Sequence, residues 1–449
     1  MVISNGLAIL FLASMARAWM ATGQASNFNV SEEVALTYGC NETCQKVLSL
    51  TNAADLKTLG TAFDFDFYAT ADNFSASVPG DLLKLGAINS SNLDVPAGMT
   101  TFRFQYTSRD LDGSPVPSTG FIAFPYAKPA HGGKIPLVAF AHGTIGVYRG
   151  CAPSSSPDVF NYDSWTPLIF HGYAAHANDL YYSVQAARKT FPGVFTEEWM
   201  SIGHSQGGGA VWKLSEHPLV QNASSGYLGT IAVSPGAKLY DTAKVVFDSI
   251  LPRPDFHQFV VSAEMGPLAY GVMQVFPNYT TPWLGNGMIR RLGLTTLLQS
   301  CTLAFMGMSF DLPREELIAL DANPAADETL KQFQAINAPA QGDPASRPIL
   351  VIQGWNDTSI LPETTVAAYQ DAVAAGNEVH LLRYPGLDHS ATITASAPAW
   401  LKFLDDQFAH KPGCGASTDV TVQPFDLTVA KTPLELPLNE EPLLGFLRY

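Results

Sequence analysis

Beyond Thr101 the apolar positions fall into short runs separated by helical patterns. Phe102, Phe104 and Tyr106 alternate with Arg103 and Gln105, the period of two that a half-buried strand requires. Residues 120–124, closed by Pro125, predict the next strand. The run 134–141 is apolar almost throughout, as a parallel strand covered on both faces must be. Residues 172–176, 199–202, 227–233, 348–352 and 379–384 repeat the signal. Helices are predicted near 210–215, 363–375 and 398–408, the last tolerating Pro398 in its first turn. Strands alternating with helices predict an α/β protein with a mainly parallel, doubly wound sheet.

Residues 237–345 interrupt this alternation. They carry Pro252, Pro254, Pro267, Pro277 and Pro282, with helical patches at 292–305 and 314–320. They read as a mostly helical cap inserted into a core made of residues 101–236 and 346–410. Residues 19–100 form a polar N-terminal extension with short helical patterns, and 411–449 a proline-rich tail with weak β patches. The length of 449 residues fits two or three domains, or one large α/β core with such an insertion.

Composition narrows the function. Hydrophobic residues make up 47% of the chain, enough to bury a core and to exclude global disorder. Charged residues are only 14%, against roughly 25% in an average soluble protein, and the net charge is −15. With 25 Lys and Arg and no basic run, the chain repels nucleic acid and does not adhere to anionic membranes by charge. Residues 1–18 read as a signal peptide. The apolar run 7–13 precedes Ala16-Arg17-Ala18, an A-x-A cleavage pattern, although residues 1–6 lack Lys and Arg. No later stretch reaches the roughly 18 apolar residues of a membrane span. Sequons at Asn29, Asn41, Asn73, Asn89, Asn222, Asn278 and Asn356 agree with a secreted glycoprotein.

The chemistry centres on Gly203-His204-Ser205-Gln206-Gly207, a G-x-S-x-G pattern followed by Gly208 and Gly209. Acyl transfer needs a serine hydroxyl held proud of the sheet. A tight strand-to-helix turn does this and leaves room only for small residues two positions either side. The nucleophile needs a base, and the base an orienting carboxylate, in the order Ser, Asp, His on such a sheet. Asp357 follows the strand ending at Ile352, and His389 the strand ending at Tyr384, so both emerge at the edge where Ser205 does. His380 lies inside a strand, His204 is expected to point elsewhere, and Asp388 is too close in sequence to face the same imidazole. A glycan on Asn356 would crowd this site, so that sequon is expected to be unused. The tetrahedral oxyanion needs two backbone N–H donors. Gln206, directly after the nucleophile, supplies one; the loop His142-Gly143-Thr144 supplies the other, from Thr144 or next from Gly143. No metal and no cofactor is required.

These residues resemble the secretory lipase family of fungi and actinobacteria, typified by Candida lipase A. The likeness rests on the Gly-His-Ser205-Gln-Gly-Gly elbow, the Ala-His142-Gly-Thr-x-Gly146 loop, Arg149-Gly-Cys151-Ala-Pro-Ser, and the late Asp357 and His389. It spans residues 100–410. It implies an α/β-hydrolase fold, a helical cap over the serine, ester hydrolysis outside the cell, and a disulfide between Cys151 and Cys301. Of the five cysteines, Cys40 and Cys44 are a further candidate pair, although three intervening residues make the geometry demanding. Cys414 is then the odd thiol. Candidal lipase A has a cysteine between the positions of Asp357 and His389 that this chain lacks.

The expectation is a secreted, monomeric carboxylesterase or lipase acting on a small-molecule ester or lipid, without nucleic acid or integral membrane association. Deacetylation of a fungal secondary metabolite, as by the related trichothecene C-3 esterase, is the alternative. A serine exopeptidase and a non-catalytic binding protein are the remaining readings.

Overall fold

The computed structural model describes residues 23–88, 93–95, 97–127, 133–159, 165–170, 174–176, 180–413 and 415–432. The expected signal peptide, Asn89, Cys414 and the last part of the tail lie outside them.

Among the described residues one sheet carries ten strands. These are β1 (Leu82–Ala87), β2 (Met99–Arg109), β3 (Pro115–Pro125), β4 (Ile135–Ala141), β5 (Ala174–His176), β6 (Phe195–His204), β7 (Tyr227–Val233), β8 (Ile349–Gly354), β9 (Val379–Tyr384) and β10 (Thr418–Thr421). Their order is β1-β2-β3-β5-β4-β6-β7-β8-β9-β10. The first three pair antiparallel and β3 meets β5 antiparallel; from β5 to β10 every pairing is parallel. The doubly wound α/β sheet expected from the sequence is therefore present.

Both faces of the inner parallel strands β4, β7 and β8 are buried, which is why they read as continuous apolar runs. In β4, Leu137, Ala139 and Ala141 face the helices Leu180–Thr190, Gln206–Ser215 and Pro362–Ala374. Val138 and Phe140 point the other way, towards Trp165 and the helix Ala397–Phe408. This arrangement fixes the carboxyl edge of β6, β8 and β9, where the candidate site residues emerge.

Residues 237–345 are mainly short helices with one isolated bridge, Leu284 to Ile318. The predicted helix 292–305 is two helices, Asn286–Leu298 and Thr302–Gly307. Gln299 between them adopts the left-handed conformation at φ 49°, which ends the first. The N-terminal segment is more structured than its polarity suggests. Its 18-residue helix Glu42–Leu59 packs Cys44 and Leu48 into the same apolar cluster as Met265, Trp283, Met288 and Phe305. Asp55 on that helix accepts hydrogen bonds from Leu303 N–H (3.2 Å) and Ala304 N–H (2.9 Å), satisfying amides that a helix start leaves without partners. Cys40 and Cys44 are bonded, as are Cys151 and Cys301. No helix of the described residues is long and apolar enough to cross a membrane.

Candidate active site

Ser205 stands between the end of β6 and the start of the helix Gln206–Ser215, at φ 60° and ψ −124°. A non-glycine residue at positive φ costs of order 1–3 kcal/mol and persists only where its surroundings hold it. Here the Ser205 N–H donates to the Val233 carbonyl at 3.0 Å, and its carbonyl accepts from Gly236 N–H at 3.0 Å. The turn is tight enough to demand its glycines. A Cβ on Gly203 would lie 2.2 Å from the Gly207 carbonyl oxygen, and one on Gly207 would lie 2.1 Å from that of Ala141. The Ser205 side chain makes no capping hydrogen bond to the helix it precedes.

Asp357 lies just past β8 and is buried. One carboxylate oxygen, Oδ1, accepts from the backbone N–H groups of Ser359 (3.0 Å) and Ile360 (2.9 Å). The other, Oδ2, accepts from His389 Nδ1 at 2.8 Å and from Gln353 Nε2 at 3.2 Å. Gln353 is itself anchored, because its Nε2 also donates to the Ile360 carbonyl at 3.1 Å and its Oε1 accepts from Thr365 at 2.7 Å. The carboxylate thus has four donors around it and no freedom to rotate. Its bond to His389 places the imidazole proton on Nδ1 and leaves Nε2 as the basic lone pair.

His389 begins the helix His389–Ala395. Asp388 is its N-cap, accepting from Ala391 N–H at 2.7 Å, so Asp388 is engaged by the helix and not by the imidazole, as its sequence position implies. Burial opposes charge on the His389 ring, but the charge and hydrogen bond of Asp357, with Glu264 and Asp388 behind them, outweigh it and raise the imidazole above its ordinary value. His204 departs from its expected orientation. Its ring lies against that of His389, with centroids 4.5 Å apart, and its Nε2–H donates to the His389 carbonyl at 3.0 Å. Burial, followed by the neighbouring His389, pushes His204 down to about 3. Of the two adjacent imidazoles, therefore, only His389 is equipped to gain a proton.

The loop after β4 closes the site from the other side. A Cβ on Gly143 would lie 3.4 Å from that of Ser205, so Gly143 abuts the serine. Thr144 is solvent-exposed, with its carbonyl accepting from the Thr302 hydroxyl at 2.9 Å. The Ile145 carbonyl accepts from Thr302 N–H at 3.1 Å. Beside them, Gly146 sits at φ 120°, where a Cβ would be 2.9 Å from Cys151 Sγ. The Cys151–Cys301 bond and these two hydrogen bonds tie the loop to the helix Thr302–Gly307. Gln206 is the first residue of its helix, so its N–H has no acceptor within the helix.

Asn29, Asn41, Asn73, Asn222 and Asn278 are exposed. Asn356 is exposed too, one residue from Asp357. Among the described residues no group of three His, Cys, Asp or Glu side chains could hold a metal ion. Two participants carry no local sequence signal: Gln353, inside an apolar strand, and Glu264, from the cap, which accepts from the Ser359 hydroxyl at 2.6 Å.

No protein-family model and no curated protein matches this sequence. Solved structures do. Candida antarctica lipase A in its closed state superposes with a TM-score of 0.59 at 16% identity, over 80% of this chain and 89% of that one. The rice cell wall degrading esterase LipA from Xanthomonas oryzae gives 0.54 at 15% identity, over 74% of this chain and all of its own. At such identities the likeness establishes the fold, which is that of the α/β-hydrolases.

Proposed function

We propose that the chain is a secreted serine hydrolase of carboxylic esters. The observation that carries this reading is the Asp357–His389 hydrogen bond, at 2.8 Å, on the sheet edge where Ser205 projects from its positive-φ turn. In this reading His389 Nε2 takes the proton of Ser205 Oγ as the oxygen attacks the ester carbonyl. Asp357 holds the imidazole and stabilises the imidazolium that forms. The tetrahedral oxyanion is received by the N–H of Gln206 and by the 143–144 loop, where the contact of Gly143 with Ser205 favours Gly143 over Thr144. Collapse returns the proton from His389 to the leaving alcohol, and water then hydrolyses the acyl-enzyme by the same route. The fold shared with a lipase and an esterase supports the substrate class. Two disulfides and exposed sequons support an extracellular setting.

Acyl-chain preference follows from what the cap does with its apolar residues. Phe256, Met265, Trp283, Met288 and Phe305 are buried in a core that the cap shares with the N-terminal helices. Phe247, Phe259 and Met273 are half-buried and pack against the same core, which leaves little cap surface for a long acyl chain. This division favours short to medium acyl groups over long ones. The test is kcat/KM for acetate, octanoate and palmitate esters of one alcohol, beside an acetylated polycyclic alcohol and a peptide anilide. Highest values at acetate to octanoate are expected. A maximum at palmitate that rises above the micelle threshold would establish a lipase, and a marked preference for the acetylated polycyclic alcohol a metabolite deacetylase.

A further inference from the structure

Two hydrogen bonds join the cap to the loop that carries Asp357. Val261 N–H donates to the Thr358 carbonyl at 2.9 Å, and Glu264 Oε1 accepts from the Ser359 hydroxyl at 2.6 Å. Ser359 is also the residue whose backbone N–H holds Asp357 Oδ1. Glu264 closes the short helix Val260–Ala263 and opens Met265–Val275, so its backbone is fixed between two helices. From there its carboxylate acts through space on His389, favouring the protonated ring. A half-buried carboxylate at this point is costly unless something compensates it. Burial pushes the Glu264 carboxyl up, as does the charge of Asp357, while the Ser359 hydroxyl and the His389 imidazolium oppose that shift.

From this geometry we infer that Glu264 is a positioning residue for the reaction, a second acid lent by the cap to the His389–Asp357 pair. The inference rests on the proposed serine-hydrolase reading. Glu264 performs two tasks. Through Ser359 it holds the 357–360 loop, and with it the acceptor geometry of Asp357. Through its charge it adds to Asp357 in stabilising imidazolium as the proton leaves Ser205. Both carboxylates favour the charged form of the His389 imidazole. The other ionisable neighbours of His389 are Asp388, engaged as a helix cap, whose charge also favours the protonated ring, and His204, which burial holds neutral. Cap seating and catalytic competence are linked by this arrangement, because any displacement of the segment around Val261 and Glu264 removes the second acid.

The experiment compares Glu264→Gln with wild type in the pH dependence of kcat/KM and kcat for a soluble ester, with reactive sites counted by stoichiometric organophosphonate labelling. Glutamine keeps the acceptor for Ser359 and removes the charge. The expected result is full labelling, a midpoint of the acidic limb lowered by on the order of half to one pH unit, and kcat reduced about tenfold with little change in KM. Glu264→Asp, which retains the charge, should restore most of the midpoint, and it serves if the glutamine variant does not fold. An unmoved midpoint in a fully labelled variant overturns the inference and leaves the serine-hydrolase reading intact. Absence of Ser205 labelling in the wild type overturns that reading itself.

Discussion

Replacing Asp357 by Asn should silence the enzyme through a tautomer, not through unfolding. The side chain is isosteric, and which end of the new amide points where is dictated by its neighbours. Position Oδ1 faces two backbone N–H donors, those of Ser359 and Ile360, which only the amide oxygen can satisfy. The NH₂ group must then occupy the Oδ2 position, opposite His389 Nδ1 and Gln353 Nε2. To avoid a donor facing a donor, His389 moves its proton to Nε2, and the lone pair that should accept the serine proton is gone. The variant loses both the basic nitrogen and the anion beside the imidazolium. The expected loss is roughly 10³- to 10⁴-fold in kcat, or about 4–5.5 kcal/mol of transition-state stabilisation at 1.36 kcal/mol per decade. Stability should change far less, because only the Gln353 contact turns unfavourable among neutral partners. The assay is steady-state hydrolysis of a nitrophenyl ester by wild type and variant, with thermal unfolding as the control. A variant that folds normally and retains more than a tenth of wild-type kcat would refute this account of Asp357.

The acidic limb of kcat/KM should have its midpoint above the ordinary histidine value of ~6.5, since Asp357 and Glu264 raise the His389 imidazole, which must be neutral to act; a midpoint at or below 6.5 contradicts the electrostatics described. Gly207→Ala should reduce activity by at least a hundredfold and lower the unfolding temperature, because its Cβ would meet the Ala141 backbone oxygen at 2.1 Å and the turn cannot open without moving Ser205. Wild-type rates in that variant would mean that the elbow is looser than its geometry. Glu216, buried and pushed up to about 7, has its carboxylate on Ala340 N–H. Its folded value lies above the unfolded 4.5, so its contribution to stability is intact below that pH and is lost as pH rises through about 7, amounting to roughly 3 kcal/mol at most. Glu216→Gln should therefore raise the unfolding temperature at pH 8 relative to wild type but not at pH 4; an equal effect at both would exclude titration of Glu216 as the cause.

The inner strands were legible in the sequence because burial on both faces writes an unbroken apolar run: residues 227–233 and 379–384 are β7 and β9 to the residue. The edge strands β1 and β10 were not. Thr418–Thr421 is mostly exposed and carries Asp419, so its pairing to β9 leaves no hydrophobic pattern to read. The N-terminal helix was obscured because its buried face includes the polar Thr51, Asn52 and Asp55, the last bonded to the distant Asn27, Leu303 and Ala304. Of the site, Ser205, Asp357 and His389 could be named because each follows a strand at the same sheet edge. The position of His204 against the His389 imidazole, and the approach of Glu264 from the cap, arise from tertiary packing between segments far apart in the chain. No local spacing encodes them.

The central claim is that Ser205 is a nucleophile activated by His389. It is tested most directly by reacting the intact protein with an organophosphonate and mapping the modified peptide by mass spectrometry, alongside Ser205→Ala. The account predicts one adduct per chain, located on Ser205, with loss of ester hydrolysis in step with labelling and neither labelling nor turnover in the alanine variant. An adduct on another residue, or ester turnover by a folded Ser205→Ala protein near the wild-type rate, would contradict it.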